Sequence, residues 1–191
     1  RMTSVLLYAR ALSVMGEWEA AERALEGAGE ELPEVGELVF ELGSMYFLAH
    51  RYERMEAMGR ELLKMAPNRA IGYWLVGLSQ EQRGMVEEGV ATLEEGLRRA
   101  PKDDLRTLCA LGHAYGRLGD RQKAEATLER LAVGPVEQRA TRFTLSYCAA
   151  LAHVGMGNRE RAWEWLEKAW EGRDASLPFL AWDPRFACLQ P

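Results

Sequence analysis

Four prolines divide this chain of 191 residues into equal lengths. Pro33, Pro67, Pro101 and Pro135 each follow the previous proline by 34 residues. Proline has no backbone N–H and disfavours the α conformation in the residue before it, so each proline predicts the end of a helical unit. A fixed period of this length predicts an array of similar units rather than a single non-repeating core.

The stretch ALGHAYGRLGDRQKA, residues 110–124, shows what one unit contains. Leu111 and Tyr115 lie four residues apart and so share one face of a first helix. Gly119 suits the left-handed conformation just beyond a helix end, and Asp120 can cap the next helix through its side-chain oxygen. Ala124 is small enough for a second helix to cross the first. The stretch therefore predicts a helical hairpin.

These features resemble the tetratricopeptide repeat, in which helix–turn–helix units recur about every 34 residues. The resemblance spans residues 2 to about 171 and is strongest in the fourth unit. It implies an all-α fold, an α-solenoid of about five helical hairpins in a right-handed superhelix. We expect one array over residues 1–172, with a longer first helix in the last unit. The expected units lie near residues 2–35, 36–69, 70–104, 105–138 and 139–172.

The periodicity stops at Gly172, yet residues 173–191 are rich in large apolar side chains. An array of stacked hairpins leaves its last apolar face bare, so we expect this segment to cap the fifth unit. Its WDPRF sequence, residues 182–186, resembles the ending of tetratricopeptide arrays in bacterial regulatory proteins. That resemblance implies that the array is part of a larger regulatory protein. We assign no catalytic role to Asp183 and Arg185.

Net charge narrows the class of partner, and the cysteine content indicates the cellular compartment. The formal net charge of −5 argues against nucleic acids and anionic membranes, which require a basic surface. No apolar run is long enough to span a membrane, and no signal peptide is visible. Cys109, Cys148 and Cys188 have no metal-site spacing, and we expect reduced thiols in a cytoplasmic protein. The chain opens on Arg1 in the middle of an apparent repeat, so we expect it to be a fragment.

The resemblance also implies where a partner would bind. In tetratricopeptide arrays the first helices line a concave groove, and their fifth, ninth and twelfth or thirteenth positions face it. Here these positions carry mostly apolar and aromatic side chains, a pattern typical of sites for an amphipathic helix or an extended peptide with hydrophobic anchors. We name the following candidates the groove residues: Leu6, Arg10, Phe40, Ser44, Phe47, Trp74, Leu78, Glu81, Cys109, His113, Arg117, Tyr147 and Leu151.

Two other interpretations of the groove residues stay open. A shift of one position in helix phase would bury Phe40 and Trp74 between hairpins as part of the core. Alternatively, the C-terminal segment or the long fifth unit fills the groove. Only an open groove would present the apolar side chains directly to a partner.

The sequence contains no catalytic motif. We find no phosphate-binding loop, no nucleophile elbow and no Cys–His pair at a suitable spacing, and we expect no cofactor and no metal. We therefore predict a protein-interaction scaffold that binds a protein or peptide and is not an enzyme. Two alternatives remain: homo-oligomerisation through the first helix, which has no N-terminal cap, and a substrate-selecting array of a larger enzyme.

Overall fold

The computed structural model describes residues 2–29, 35–99, 104–133 and 144–189. Within these ranges the chain forms helices and no β-strand, which confirms the predicted all-α fold. Consecutive α-helices pair into five hairpins, and each hairpin packs on the next to form an α-solenoid. The α-helices are α1 (Met2–Val14), α2 (Trp18–Gly29), α3 (Val35–Leu48), α4 (Tyr52–Met65), α5 (Ala70–Gln82), α6 (Val86–Arg99), α7 (Leu105–Arg117), α8 (Arg121–Val133), α9 (Leu145–Gly155) and α10 (Arg159–Glu171). Two 3₁₀ helices follow, Leu177–Phe179 and Pro184–Leu189.

A left-handed residue lies in the turn inside each hairpin. Gly16, Gly84, Gly119 and Gly157 have φ values between +71° and +89°, a region that glycine adopts without a Cβ clash. His50 takes this position in the second hairpin with φ +57°. The predicted left-handed conformation of Gly119 is thus confirmed, and His50 has a structural place in a turn.

Side-chain caps fix where the later helices begin. Asp120 Oδ1 accepts a hydrogen bond from the backbone N–H of Lys123 at 3.0 Å, which confirms the predicted cap of α8. The Thr144 hydroxyl accepts one from the backbone N–H of Tyr147 at 3.2 Å. Because Thr144 caps α9, this helix begins at the next residue, and the longer first helix expected in the fifth unit is wrong. Residues 134–143 lie outside the part of the chain that the structure describes.

Glycines allow the first helices of the last two hairpins to approach until their backbones touch. A Cβ on Gly155 of α9 would lie 2.2 Å from the carbonyl oxygen of His113 in α7. A Cβ on Gly116 of α7 would lie 2.6 Å from the backbone nitrogen of Met156. No real Cβ tolerates such distances, so α7 and α9 can pack this closely only with glycine at both positions.

The buried apolar side chains form two clusters. The first runs through the first four hairpins and includes Leu25 and Leu75. The second joins α7, α9 and α10 to the last 3₁₀ helix, through residues that include Leu151 and Phe186. The segment after α10 is therefore packed into the core of the last hairpin.

We expect Gly155→Ala to lower the free energy of unfolding by about 1–3 kcal/mol or more, because the new methyl group would overlap a backbone atom. Gly27→Ala is the matched control. Gly27 lies exposed in α2 with no atom within 4 Å of a new Cβ, so alanine should raise stability by up to about 1 kcal/mol. Urea unfolding followed by circular dichroism measures both changes. A similar effect of the two substitutions would contradict the close α7–α9 contact.

Candidate functional site: the concave groove and the C-terminal tail

The groove residues all lie on the first helices of the hairpins, α1, α3, α5, α7 and α9. Arg117 is exposed, and Arg10, Phe40 and Ser44 are partly buried. The nine others are buried, including the large aromatic side chains of Trp74 and Tyr147. The expectation of an open apolar groove is therefore wrong for this structure, and the alternative of a groove filled by the chain itself describes it.

The C-terminal segment, residues 174–189, fills the groove, and we name it the tail. The Phe186 ring packs on Tyr147 of α9, with 5.5 Å between ring centroids. The Arg185 guanidinium lies over the ring of Phe47 of α3, 4.9 Å from its centroid. The tail thus runs across the inner faces of helices from different hairpins.

The tail also reaches the first hairpin, at the turn between α1 and α2. Trp182 Nε1 donates a hydrogen bond to the carbonyl oxygen of Val14 at 3.0 Å. Its ring packs edge-on against Trp18, with centroids 5.4 Å apart. A Cβ on Gly16 would lie 3.2 Å from the same ring. The tail therefore connects the last hairpin of the array to the first.

A small cavity remains between the tail and the groove. Its volume is about 50 Å³, well below the roughly 150 Å³ of a cavity that admits benzene. An aromatic side chain of a partner could not enter while the tail is in place. The cavity is lined by the groove residues Phe40, Ser44, Phe47, Trp74, Leu78 and Tyr147, by Leu48, and by Ser176, Phe179, Asp183 and Arg185 of the tail.

An ion pair within the tail is hydrogen-bonded to the groove. Asp183 and Arg185 are 2% and 8% exposed, and Arg185 donates from Nε to Oδ1 at 2.9 Å and from Nη2 to Oδ2 at 2.7 Å. The Tyr147 hydroxyl also donates to Asp183 Oδ2. Burial by itself would raise the pKa of Asp183, but Arg185 and the Tyr147 hydroxyl hold it below its usual value. Burial, together with the Asp183 charge, raises the pKa of Tyr147 well above its usual value.

A second polar cluster lies on α5 and α7. His113 Nδ1–H donates to Glu81 Oε1 at 2.6 Å, and Arg117 Nη1 lies 3.3 Å from the same oxygen. Burial works to raise the pKa of Glu81, but His113 and the guanidinium groups of Arg185 and Arg117 hold it below its usual value. Glu81 Oε2 is buried and has no hydrogen-bond partner. A carboxylate therefore lies in the middle of the groove, within the electrostatic reach of Arg185.

The remaining groove residues have other environments. Leu6, Cys109 and Leu151 are buried in the two apolar clusters and do not line the cavity beside the tail, so their assignment to a binding surface is corrected to the core. Arg10 forms an ion pair with Glu41 of α3 at 2.5 Å. Of the thirteen candidates, six line the cavity that remains between the tail and the groove.

Cys109 and Cys148 form a disulfide between α7 and α9, with 4.9 Å between their Cα atoms. The expectation of reduced thiols is therefore wrong for this pair. The close approach of the two helices brings together two cysteines that are 39 residues apart in sequence. Disulfides are rare in cytosolic proteins, so the expected cytoplasmic location loses the support that reduced thiols gave it. Cys188 is a free, exposed thiol.

Sequence reasoning missed Trp18 and Trp182 as partners and gave Asp183 and Arg185 no role. The available signal was the run of large apolar side chains in the tail, which predicted a cap on the fifth unit and left filling of the groove as an alternative. Among the described residues, no group of three His, Cys, Asp or Glu side chains could hold a metal ion. The described helices include none with the length and hydropathy needed to cross a bilayer.

Comparisons with known proteins agree with this architecture. Residues 105–132 match the family described as Tetratricopeptide repeat. A crystal structure of TTC0263, a thermophilic TPR protein of Thermus thermophilus, has a TM-score of 0.66 with 22% identity, over 95% of this chain and 96% of that one. A crystal structure of MamA has a TM-score of 0.50 with 18% identity, over 88% of this chain and 96% of that one. No curated protein sequence matches the chain.

The matched repeat is the fourth hairpin, where the sequence resemblance was strongest, and the structural similarity extends over nearly the whole chain. The protein thus has the fold of the tetratricopeptide repeat proteins, and residues 105–132 match that repeat in sequence.

Proposed function

We propose that this protein is an interaction scaffold whose concave groove binds a segment of a partner protein. The observation that carries the proposal is the tail itself, which lies across the groove as a ligand would. Its aromatic and guanidinium side chains contact Tyr147 and Phe47, two of the groove residues. A surface that binds one such segment in the same chain can bind a similar segment from another molecule. We also propose that the chain is the docking part of a larger regulator. The resemblance of the tail to the ending of tetratricopeptide arrays in bacterial regulatory proteins supports this role.

The tail competes with a partner segment for the groove and so sets the affinity that the partner needs. Because a short connection links it to α10, its effective concentration at the groove is of millimolar order. A partner segment binds only in the fraction of molecules whose groove is free, and its apparent affinity falls by that fraction. Loosening the tail should therefore strengthen partner binding.

We expect the 191-residue chain with Trp182→Ala to bind a fluorescent peptide of the sequence 174–189 at least tenfold more tightly than the unmodified chain. The substitution removes the hydrogen bond to Val14 and the ring contact with Trp18, and it leaves every groove residue unchanged. Trp182 is 38% exposed, so its loss should not unfold the array. Fluorescence anisotropy titrations give the dissociation constants.

Trp163→Ala is the matched control, because it removes a tryptophan of α10 that is 48% exposed and does not belong to the tail. This variant should bind the peptide as weakly as the unmodified chain. Equal affinities of all three proteins, or no binding to any of them at millimolar peptide, would contradict the proposal.

A second candidate function is self-association through α1. Leu7, Tyr8 and Met15 on this helix and at its end are 57%, 60% and 71% exposed. Exposed apolar side chains close together on one helix are typical of a surface that pairs with another protein. Here the proposed partner is α1 of a second copy.

We expect the sedimentation coefficient of the unmodified chain to rise with protein concentration, and Leu7→Glu to abolish the rise. A glutamate charge buried in the apolar contact between two α1 helices would be unfavourable, so the pair should separate. Met65→Glu is the control, since Met65 is 78% exposed on α4, away from α1. Sedimentation velocity measures the effect, and a concentration-independent coefficient for the unmodified chain would rule out this function.

A further inference from the structure

We propose that the groove recognises an Asp–x–Arg sequence flanked by aromatic residues, and that the partner segment carries this chemistry. The tail presents it from Trp182 to Phe186. The inference rests on the proposed function, because it names what the groove would bind. It follows from how the groove accommodates the charges of Asp183 and Arg185, which pair with each other inside the tail.

The acidic residue is recognised by a hydroxyl group. Tyr147 is 5% exposed, and its hydroxyl donates to the Asp183 carboxylate. A hydroxyl that keeps its proton over the physiological range is a permanent donor, and it distinguishes a carboxylate from an amide, which would accept more weakly. A carboxylate buried alone here would be unfavourable, so the ligand must also supply a cation.

The arginine supplies that cation from two residues further along. Its guanidinium holds both carboxylate oxygens of Asp183, at 2.9 and 2.7 Å. The same group lies over the Phe47 ring, and Glu81 beyond it has one carboxylate oxygen with no hydrogen-bond partner. Lysine cannot reproduce the planar two-bond contact and stack on the ring together. The site is therefore selective for arginine.

The flanking aromatic residues fix the position of the charged pair. Trp182 packs against Trp18 at the first hairpin, and Phe186 packs on Tyr147 at the fifth. Only Pro184 separates Asp183 from Arg185, and the backbone N–H of Arg185 donates to Asp183 Oδ1 at 3.0 Å, which holds the two residues close enough to pair. A partner segment needs the same order of residues to reach both ends of the groove and place its ion pair between them.

The test uses the 191-residue chain with Trp182→Ala and four peptides of the sequence 174–189. One peptide is unchanged, and the others carry Asp183→Asn, Arg185→Lys, or both changes. We expect each single change to weaken binding at least tenfold, and the double change to weaken it by less than the product of the two. Equal binding of all four peptides overturns the Asp–x–Arg inference and leaves the proposed function intact. No binding of any peptide overturns the proposed function itself.

A second protein variant tests the hydroxyl directly. Tyr147→Phe, added to Trp182→Ala, should lower at least fivefold the ratio of the affinity for the unchanged peptide to the affinity for the Asp183→Asn peptide. The ratio is the measure because the same substitution also loosens the tail of the chain itself, which changes both apparent affinities by the same factor. Tyr115→Phe is the control, since it removes a hydroxyl that donates to Glu94 outside the groove, and it should alter neither affinity. Thermal unfolding confirms that each variant is folded. An equal loss for both peptides in the Tyr147→Phe chain would show that the hydroxyl does not read the carboxylate.

Discussion

The ion pair between Asp183 and Arg185 is the interaction on which the packing of the tail into the groove depends. Two charges lie buried in a groove whose other walls are largely aromatic and aliphatic. Moving charges out of water is unfavourable, and only paired geometry with further hydrogen bonds offsets that cost. Two guanidinium donors and the Tyr147 hydroxyl supply those bonds. Because neither charge can be buried without the other, Asp183 and Arg185 are held in the groove together.

The sequence predicted the features that depend on neighbouring residues and missed those that depend on distant ones. Gly119 and Asp120 could be assigned because a turn and a cap are decided within a few positions. The bond from Trp182 to the carbonyl oxygen of Val14 joins residues 168 positions apart. Its existence depends on the summed curvature of every hairpin between them. A periodic sequence pattern predicts the individual hairpins, but it does not predict the total curvature of the array.

The same limit explains why one rule for groove positions selected residues in different environments. Phe47 and Tyr147 follow the rule and meet the tail, whereas Cys109 follows it and is core. The difference lies in the spacing of the helices. Where Gly116 and Gly155 bring α7 and α9 into backbone contact, side chains between the two helices are sealed off from the groove. Sequence phase locates a face, but the distance to the neighbouring helix decides whether that face is surface or core.

The tail covers the groove and also completes the core of the last hairpin, and a segment that replaces it has to do both. Phe186 and Leu189 belong to the core of the last hairpin, so withdrawing the tail exposes apolar surface as well as the groove. Burying one such side chain is worth about 1.5–3 kcal/mol, and a competitor must recover that contribution for each side chain it displaces. A segment with only the charged residues could form the internal ion pair, but it would leave the apolar surface of the last hairpin exposed to water. Under the proposed function, the aromatic residues therefore set how strongly a segment is held in the groove, and the ion pair between them sets which segment is accepted.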